Sequence, residues 1–128
     1  MKKIVLAALL AASLHAVAGA DMDGDWVGAL RWQNPSHPEM VSNWFYDAST
    51  ATRTDDTVAF WQKITSSDSD VPSYTHLIVD CRTQRTAIDA MTLNGDLHHL
   101  IQVTPEFKAT DPTGGNLRML VAVCKNVH

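Results

Sequence analysis

The sequence predicts an α+β fold in which a mostly antiparallel sheet of about six strands carries a C-terminal helix, tied to it by a disulfide. Short segments of alternating apolar and polar residues recur between Trp26 and Thr104, with polar turns between them. After Pro112 the apolar residues return at helical spacing. The two cysteines, Cys81 and Cys124, lie one in each of these patterns.

The first twenty residues have the composition of a secretory signal peptide. Lys2 and Lys3 precede an apolar run over residues 4–14, and small residues follow up to Ala20. We expect cleavage before Asp21, with cleavage before Gly19 as the alternative. The apolar run is shorter than the roughly 18 to 20 residues that span a bilayer. The sequence therefore predicts a signal peptide over residues 1–20 and one domain over residues 21–128.

The mature domain is expected to be acidic and to lack a membrane anchor. Removing residues 1–20 takes away Lys2 and Lys3 and no acidic residue, so the net charge falls from −4 to −6 at pH 7. An acidic domain is repelled by phosphate backbones and anionic lipids, which argues against a nucleic-acid partner. Because no cysteine precedes Cys81, no lipid anchor is expected. We expect a periplasmic or secreted protein.

Each strand is predicted from its own pattern. The first places Trp26, Gly28, Leu30 and Trp32 on one face, and the second is rich in aromatic residues. The fifth and sixth are joined by Asn94-Gly95-Asp96, a strong hairpin signal. Short connections, including a polar loop over residues 66–73, favour antiparallel pairing. The predicted strands cover residues 26–32, 41–47, 57–65, 74–81, 85–93 and 97–104.

The last element is predicted to be a helix over residues 116–126. Leu117, Leu120, Val121 and Cys124 fall at i, i+3, i+4 and i+7, which is one helix face, and Thr113 or Asn116 could cap its first turn. Cys124 then faces the sheet, as Cys81 does on the apolar side of its strand.

Two cysteines in an exported chain predict a disulfide between Cys81 and Cys124. A metal pair or a reactive thiol is the alternative, but neither cysteine has clustered His or Asp neighbours in the sequence. Closing a loop of this length stabilises a fold by about 4 kcal/mol in the chain-entropy model.

Several short motifs together resemble the surface-adhesin protein E-like domain. They are Tyr46-Asp47-Ala48-Ser49, Val58-Ala59-Phe60-Trp61-Gln62-Lys63, Val79-Asp80-Cys81-Arg82 with Arg85, and the late helix that carries Cys124. The resemblance covers residues 24–126. It implies a six-stranded antiparallel sheet with a disulfide-linked C-terminal helix, and an exported protein that binds other proteins. This chain departs from the adhesin that names the family, because it has no lipid-attachment cysteine and is acidic.

The histidines and tryptophans are the candidate site residues. His98 and His99 are adjacent on a predicted strand and therefore point to opposite faces, so we expect exposed strand histidines. A metal-binding or pH-sensitive role, joined by His76, is the alternative. The four tryptophans suit either a core or a binding surface, and Trp44, Tyr46 and Trp61 are the predicted binding residues.

No enzyme motif is found, and no metal or cofactor is expected. The sequence has no Gly-x-Ser-x-Gly and no His-Glu-x-x-His, and its two glutamates, Glu39 and Glu106, lie beside loop prolines. We therefore expect a non-enzymatic, adhesin-like protein of the cell envelope with a protein partner, and a sheet edge that could also form a homodimer. The alternatives are an envelope assembly or stress protein and a metal-dependent envelope enzyme.

Overall fold

Alternating side chains build one antiparallel sheet from Trp26 onward, and a single helix follows it. The computed structural model describes residues 24–93 and 95–128, without the side chains of Leu93, Leu97 and His98. The predicted signal peptide over residues 1–20, its cleavage site, Asn94 of the hairpin turn and the side chain of His98 lie outside the described part. The elements are β1 (Trp26–Gln33), β2 (Val41–Asp47), β3 (Thr52–Thr54), β4 (Thr57–Ser66), β5 (Ser69–Asp80), β6 (Arg85–Leu93), β7 (Asp96–Gln102), β8 (Lys108–Ala109) and α1 (Asn116–Asn126).

The sheet has eight strands, so the prediction of about six was wrong. Its main order is β1-β2-β4-β5-β6-β7, with antiparallel neighbours. The two unpredicted strands are short. β3 pairs with β4 and β8 pairs with β6, each beyond the end of a longer strand on the same partner. Two or three residues are too few to show a period-2 pattern, which is why the sequence did not reveal them.

The polar segment over residues 66–73 is mostly strand and not a loop, which corrects a second prediction. Ser66 pairs with Ser69, so β4 turns directly into β5. The register shifts between Ile64 and Ser66, and this irregularity accommodates the extra residues near Pro72. Backbone pairing thus extends the hairpin although its side chains are polar.

A buried carboxylate makes the turn between β2 and β3. Asp47 is fully buried, and its Oδ1 accepts hydrogen bonds from the backbone N–H groups of Asp25 (2.9 Å) and Ser49 (3.1 Å) and from the Ser49 hydroxyl (2.7 Å). Its Oδ2 accepts one from the Thr50 hydroxyl at 2.7 Å. Four donors offset the cost of burying the charge. The aspartate of the Tyr46-Asp47-Ala48-Ser49 motif is therefore structural.

Two aspartates shape turns, Asp80 between β5 and β6 and Asp111 before the helix. Asp80 accepts hydrogen bonds from the backbone N–H groups of Thr83 and Arg82, and these lower its pKa. Asp111 accepts bonds from the hydroxyl and the backbone N–H of Thr113, which lower the pKa of that carboxyl. Both turns are thus held by the charged form of the carboxylate.

The helix packs on one side of the sheet, which we call the covered face. Its buried side chains are those of Met119, Leu120 and Val123. The predicted helix face was wrong at Val121, which is 51% exposed. The inner face is rotated because Met119 and Val123 point at the sheet in its place. The core residues of the covered face are Leu30, Trp44, Tyr46, Val58, Phe60, Leu77, Val79, Met119, Leu120 and Val123.

Neither Thr113 nor Asn116 caps the helix, which corrects that prediction. The N-cap residue is Gly115, without a side-chain hydrogen bond. A Cβ atom at Gly115 would lie 2.8 Å from ring atoms of Trp44. The position therefore favours glycine because the helix start touches the indole ring. Met119 still begins the helical hydrogen bonding, since its N–H donates to the Gly115 carbonyl at 2.9 Å.

Two long-range links hold the helix to the sheet. The predicted disulfide between Cys81 and Cys124 is confirmed, with the Cα atoms 5.8 Å apart. At the helix end, Nη1 of Arg53 donates to the carbonyl oxygens of Cys124 (2.8 Å) and Val127 (3.0 Å). A cation at this end also favours the helix dipole. In the described part of the chain, no helix is long and apolar enough to cross a membrane.

Candidate functional site

The side of the sheet opposite the helix carries a second apolar cluster. We call it the open face. Trp61, Tyr74 and Ala90 are buried there, with Trp26 and Leu100 packed against them. Strand pairing places Phe45 and Lys63 on the same side, because residues paired across strands share a face. The described helix packs on the covered face instead. The open face therefore presents aromatic rings over which no described helix lies.

Aromatic rings from distant strands meet across this face. The rings of Trp26 in β1 and Tyr74 in β5 have centroids 5.8 Å apart, although β2 and β4 lie between their strands. Trp61 and Tyr74 are only 4% and 5% exposed, while Trp26 is partly exposed. The buried pair thus forms a floor that supports the more accessible ring. Aromatic pairs at this separation add about 0.5–1.5 kcal/mol beyond their buried area.

Lys63 places a positive charge among these rings. Its Nζ atom lies 5.5 Å from the centroid of the Trp26 ring and 5.8 Å from that of Phe45. Both distances suit a cation–π interaction. No carboxylate among the described residues forms an ion pair with Lys63. The lysine is therefore held by rings rather than by an opposite charge.

A histidine–aspartate pair lies next to the aromatic floor. Nδ1 of His76 is 2.6 Å from Oδ1 of Asp89, and the His76 ring is 5.0 Å from that of Trp61. The pairing of β5 with β6 shifts between His76 and Leu77, which leaves Asp89 as the extra residue of a β-bulge. The bulge allows the carboxylate to reach the imidazole. Within the described contacts, no serine or cysteine is bonded to His76.

The structure separates the three predicted binding residues. Trp44, Tyr46 and Trp61 are 9%, 5% and 4% exposed. Trp44 and Tyr46 belong to the covered face, whereas Trp61 is in the floor of the open face. They do not form a common exposed patch, so direct contact between these rings and a partner remains a prediction without structural support.

Sequence reasoning missed Trp26, Phe45 and Lys63 as a group. The period of two could have revealed part of this group, because it places Phe45 on the face opposite Trp44 and Lys63 on the same face as Trp61. Pairing across β1, β2 and β4 then joins them. Trp26 was missed because the register of β1 shifts between Gly28 and Leu30. This β-bulge puts Trp26 and Gly28 on the open face and Leu30 and Trp32 on the covered face, so the prediction that all four share one face was wrong.

His76 and His99, whose side chains the structure describes, do not lie in one site. His99 is exposed, and its Nδ1 atom lies 2.6 Å from Oδ2 of Asp96 at the start of β7. His76 is two strands away in the sheet and is bonded to Asp89. In the part of the chain that the structure describes, no group of three or more His, Cys, Asp or Glu side chains could hold a metal ion.

A further surface of apolar residues borders β6. Ile88, Ile101, Val103 and Phe107 are 36–41% exposed. Ile101 pairs with Met91, and the N–H of Val103 donates to the Asp89 carbonyl at 2.9 Å. We call these four residues the apolar end. Its four side chains include one aromatic ring, Phe107, and no charged group, whereas the open face combines several rings with Lys63.

No protein-family model matches the chain, and neither a curated protein nor a solved structure is significantly similar to it. Membership of the surface-adhesin protein E-like family therefore stays a prediction from the motifs.

Proposed function

We propose that this protein is an exported, non-enzymatic binding module of the bacterial cell envelope that contacts a protein partner through its open face. The observation that carries the proposal is the mixed cluster of Trp26, Phe45 and Lys63 above a buried floor of Trp61 and Tyr74. Tryptophan and tyrosine in packed clusters are enriched among residues that dominate binding energy.

The floor gives the open face rigidity, which favours binding. Trp61 and Tyr74 are already packed in the unbound protein, so a partner would not have to order them. The accessible rings above them supply apolar area, and Lys63 supplies charge. A surface of this kind suits recognition of another protein better than turnover of a small substrate, since no described serine or cysteine is bonded to His76 or Asp89.

The cell envelope location is part of the proposal. The signal-peptide pattern and the disulfide between Cys81 and Cys124 support it, because disulfides persist in oxidising compartments. The adhesin-like motifs support binding to a protein partner, because the family they resemble is named for a protein-binding adhesin. The mature domain would be periplasmic or secreted.

Partner capture on the wild-type protein, followed by affinity measurements on matched variants, tests this proposal. The wild-type protein is immobilised, a protein captured from envelope or culture material is identified, and its affinity for purified variants is then measured. Phe45→Ala should weaken it by about tenfold or more, as loss of a central aromatic contact does. Val121→Ala, which changes an exposed apolar side chain on the helix, should leave it unchanged.

The Ile101→Ala variant addresses the competing surface. If the partner loses affinity for Ile101→Ala but not for Phe45→Ala, the apolar end binds it and the proposal fails. Equal affinity for all four proteins would also contradict it.

A further inference from the structure

We propose that the open face contains a subsite for a carboxylate side chain of an acidic polypeptide segment, formed by Lys63, Trp26 and Phe45 beside Gly28. The inference rests on the proposed function and specifies the chemistry of the partner. The first observation is a gap in the row of side chains. Gly28 pairs with Phe45 in the sheet and contributes no side chain.

The gap at Gly28 has room for an atom of a ligand. A Cβ atom built at Gly28 would have the Phe45 ring carbons at 3.9 Å as its nearest neighbours, an ordinary van der Waals contact. Gly28 is exposed, and Trp26 lies two residues before it on the same face of β1. The rings of Trp26 and Phe45 therefore border a notch whose base is backbone, and Lys63 Nζ lies near both rings.

The charges around this notch favour an anion. Lys63 has no described carboxylate partner, and Arg31 shares the open face because it pairs with Asn43. Asp47, which pairs with Trp26, is fully buried in its turn and accepts hydrogen bonds there. Lys63 and Arg31 thus place two basic side chains on one face of a chain that has 14 acidic and 10 basic residues.

The same features select a carboxylate on a polypeptide over a polymeric anion. Phosphate or sulfate polymers are held by several basic residues at once, and an acidic protein repels them at long range. The notch offers one lysine within an aromatic frame. That arrangement fits a single Asp or Glu side chain with apolar neighbours, which would accept a charge-assisted hydrogen bond from Lys63.

Selection of peptides from a random library displayed on phage tests the subsite. The purified, disulfide-bonded protein and its Lys63→Gln variant are used in parallel. We expect peptides selected on the wild-type protein to contain Asp or Glu between apolar residues. The selected peptide should bind about tenfold more weakly when its acidic residue is changed to the amide, as expected for a lost charge-assisted bond. This difference should vanish in Lys63→Gln.

Two further variants act as controls. Gly28→Leu fills the notch without changing charge and should abolish peptide binding, while Lys125→Gln removes an exposed helix cation and should change nothing. Circular dichroism confirms that each variant is folded. Peptides without acidic residues, the same acidic preference in Lys63→Gln, or no selected peptide would each overturn the inference, as would preferential binding of a sulfated oligosaccharide.

The partner used to test the proposed function separates the two ideas. If it loses affinity for Phe45→Ala but keeps full affinity for Lys63→Gln, the open face binds a protein without using the carboxylate subsite. In that case the inference fails and the proposed function stands.

Discussion

The two faces of this sheet are built from the same strands but differ in the burial and polarity of their side chains. On the covered face, Val58, Phe60, Val79 and Val123 are at most 1% exposed, and the helix seals them. On the open face, Lys63, His76 and Asp89 are partly exposed and lie beside aromatic rings. β4 contributes alternate residues to both sides. The covered face thus carries the stability of the fold, which leaves the open face able to hold polar groups.

This division predicts that equivalent changes have unequal effects on the two sides. Phe60→Ala should lower the free energy of unfolding by about 3–5 kcal/mol, because it leaves a cavity in a sealed core. Phe45→Ala makes the same chemical change on the open face and should cost less than about 2 kcal/mol, since the ring is only partly buried. Urea unfolding of both variants measures the difference. Equal losses would mean that the open face is also a structural core.

The disulfide should matter mainly for the covered face. Replacing Cys81 and Cys124 by serine opens a link of sequence separation 43 and should cost about 4 kcal/mol by the chain-entropy model. Because the link joins the helix to the end of β5, hydrogen exchange should show the helix losing protection before the sheet. Simultaneous loss in helix and strands would argue against a clamp on the helix.

The close approach of helix and sheet makes Gly115 sensitive. Gly115→Ala puts a Cβ atom 2.8 Å from Trp44 and should destabilise the protein by about 1–3 kcal/mol through overpacking. Gly28→Ala, where the nearest side-chain atoms are 3.9 Å away, serves as the matched open-face control and should change thermal stability little. A stable Gly115→Ala protein would show that the helix start can shift away from the indole.

Gln62 is a polar exception on the covered face. It is 5% exposed, and within the described residues its Oε1 atom has no hydrogen-bond partner. Gln62→Met keeps the shape and removes the unpaired acceptor, so it should raise the free energy of unfolding by about 1 kcal/mol. A loss of stability on denaturant unfolding would indicate that a water molecule satisfies this oxygen.

Local sequence patterns were enough to predict most of the fold but little of the candidate site. The period of two revealed the long strands, and the inward positions of Cys81 and Cys124 revealed the helix clamp. The short β3 was hidden, because its three residues are too few to show a period of two. The open face was hidden for a related reason. Lys63 meets Trp26 only through the register of β1 on β2 and of β2 on β4, and the period of two did not reveal the bulge between Gly28 and Leu30 that sets the face of Trp26.

The four tryptophans provide the most direct test of the account, because they are divided equally between the faces. Trp32 and Trp44 pack with the covered core, whereas Trp26 and Trp61 lie on the open face. Indole N–H signals can be followed by NMR while the captured partner is added. The account predicts that the signals of Trp26 and Trp61 shift and that those of Trp32 and Trp44 stay in place. Shifts confined to Trp32 and Trp44, or equal shifts of all four, would contradict binding at the open face.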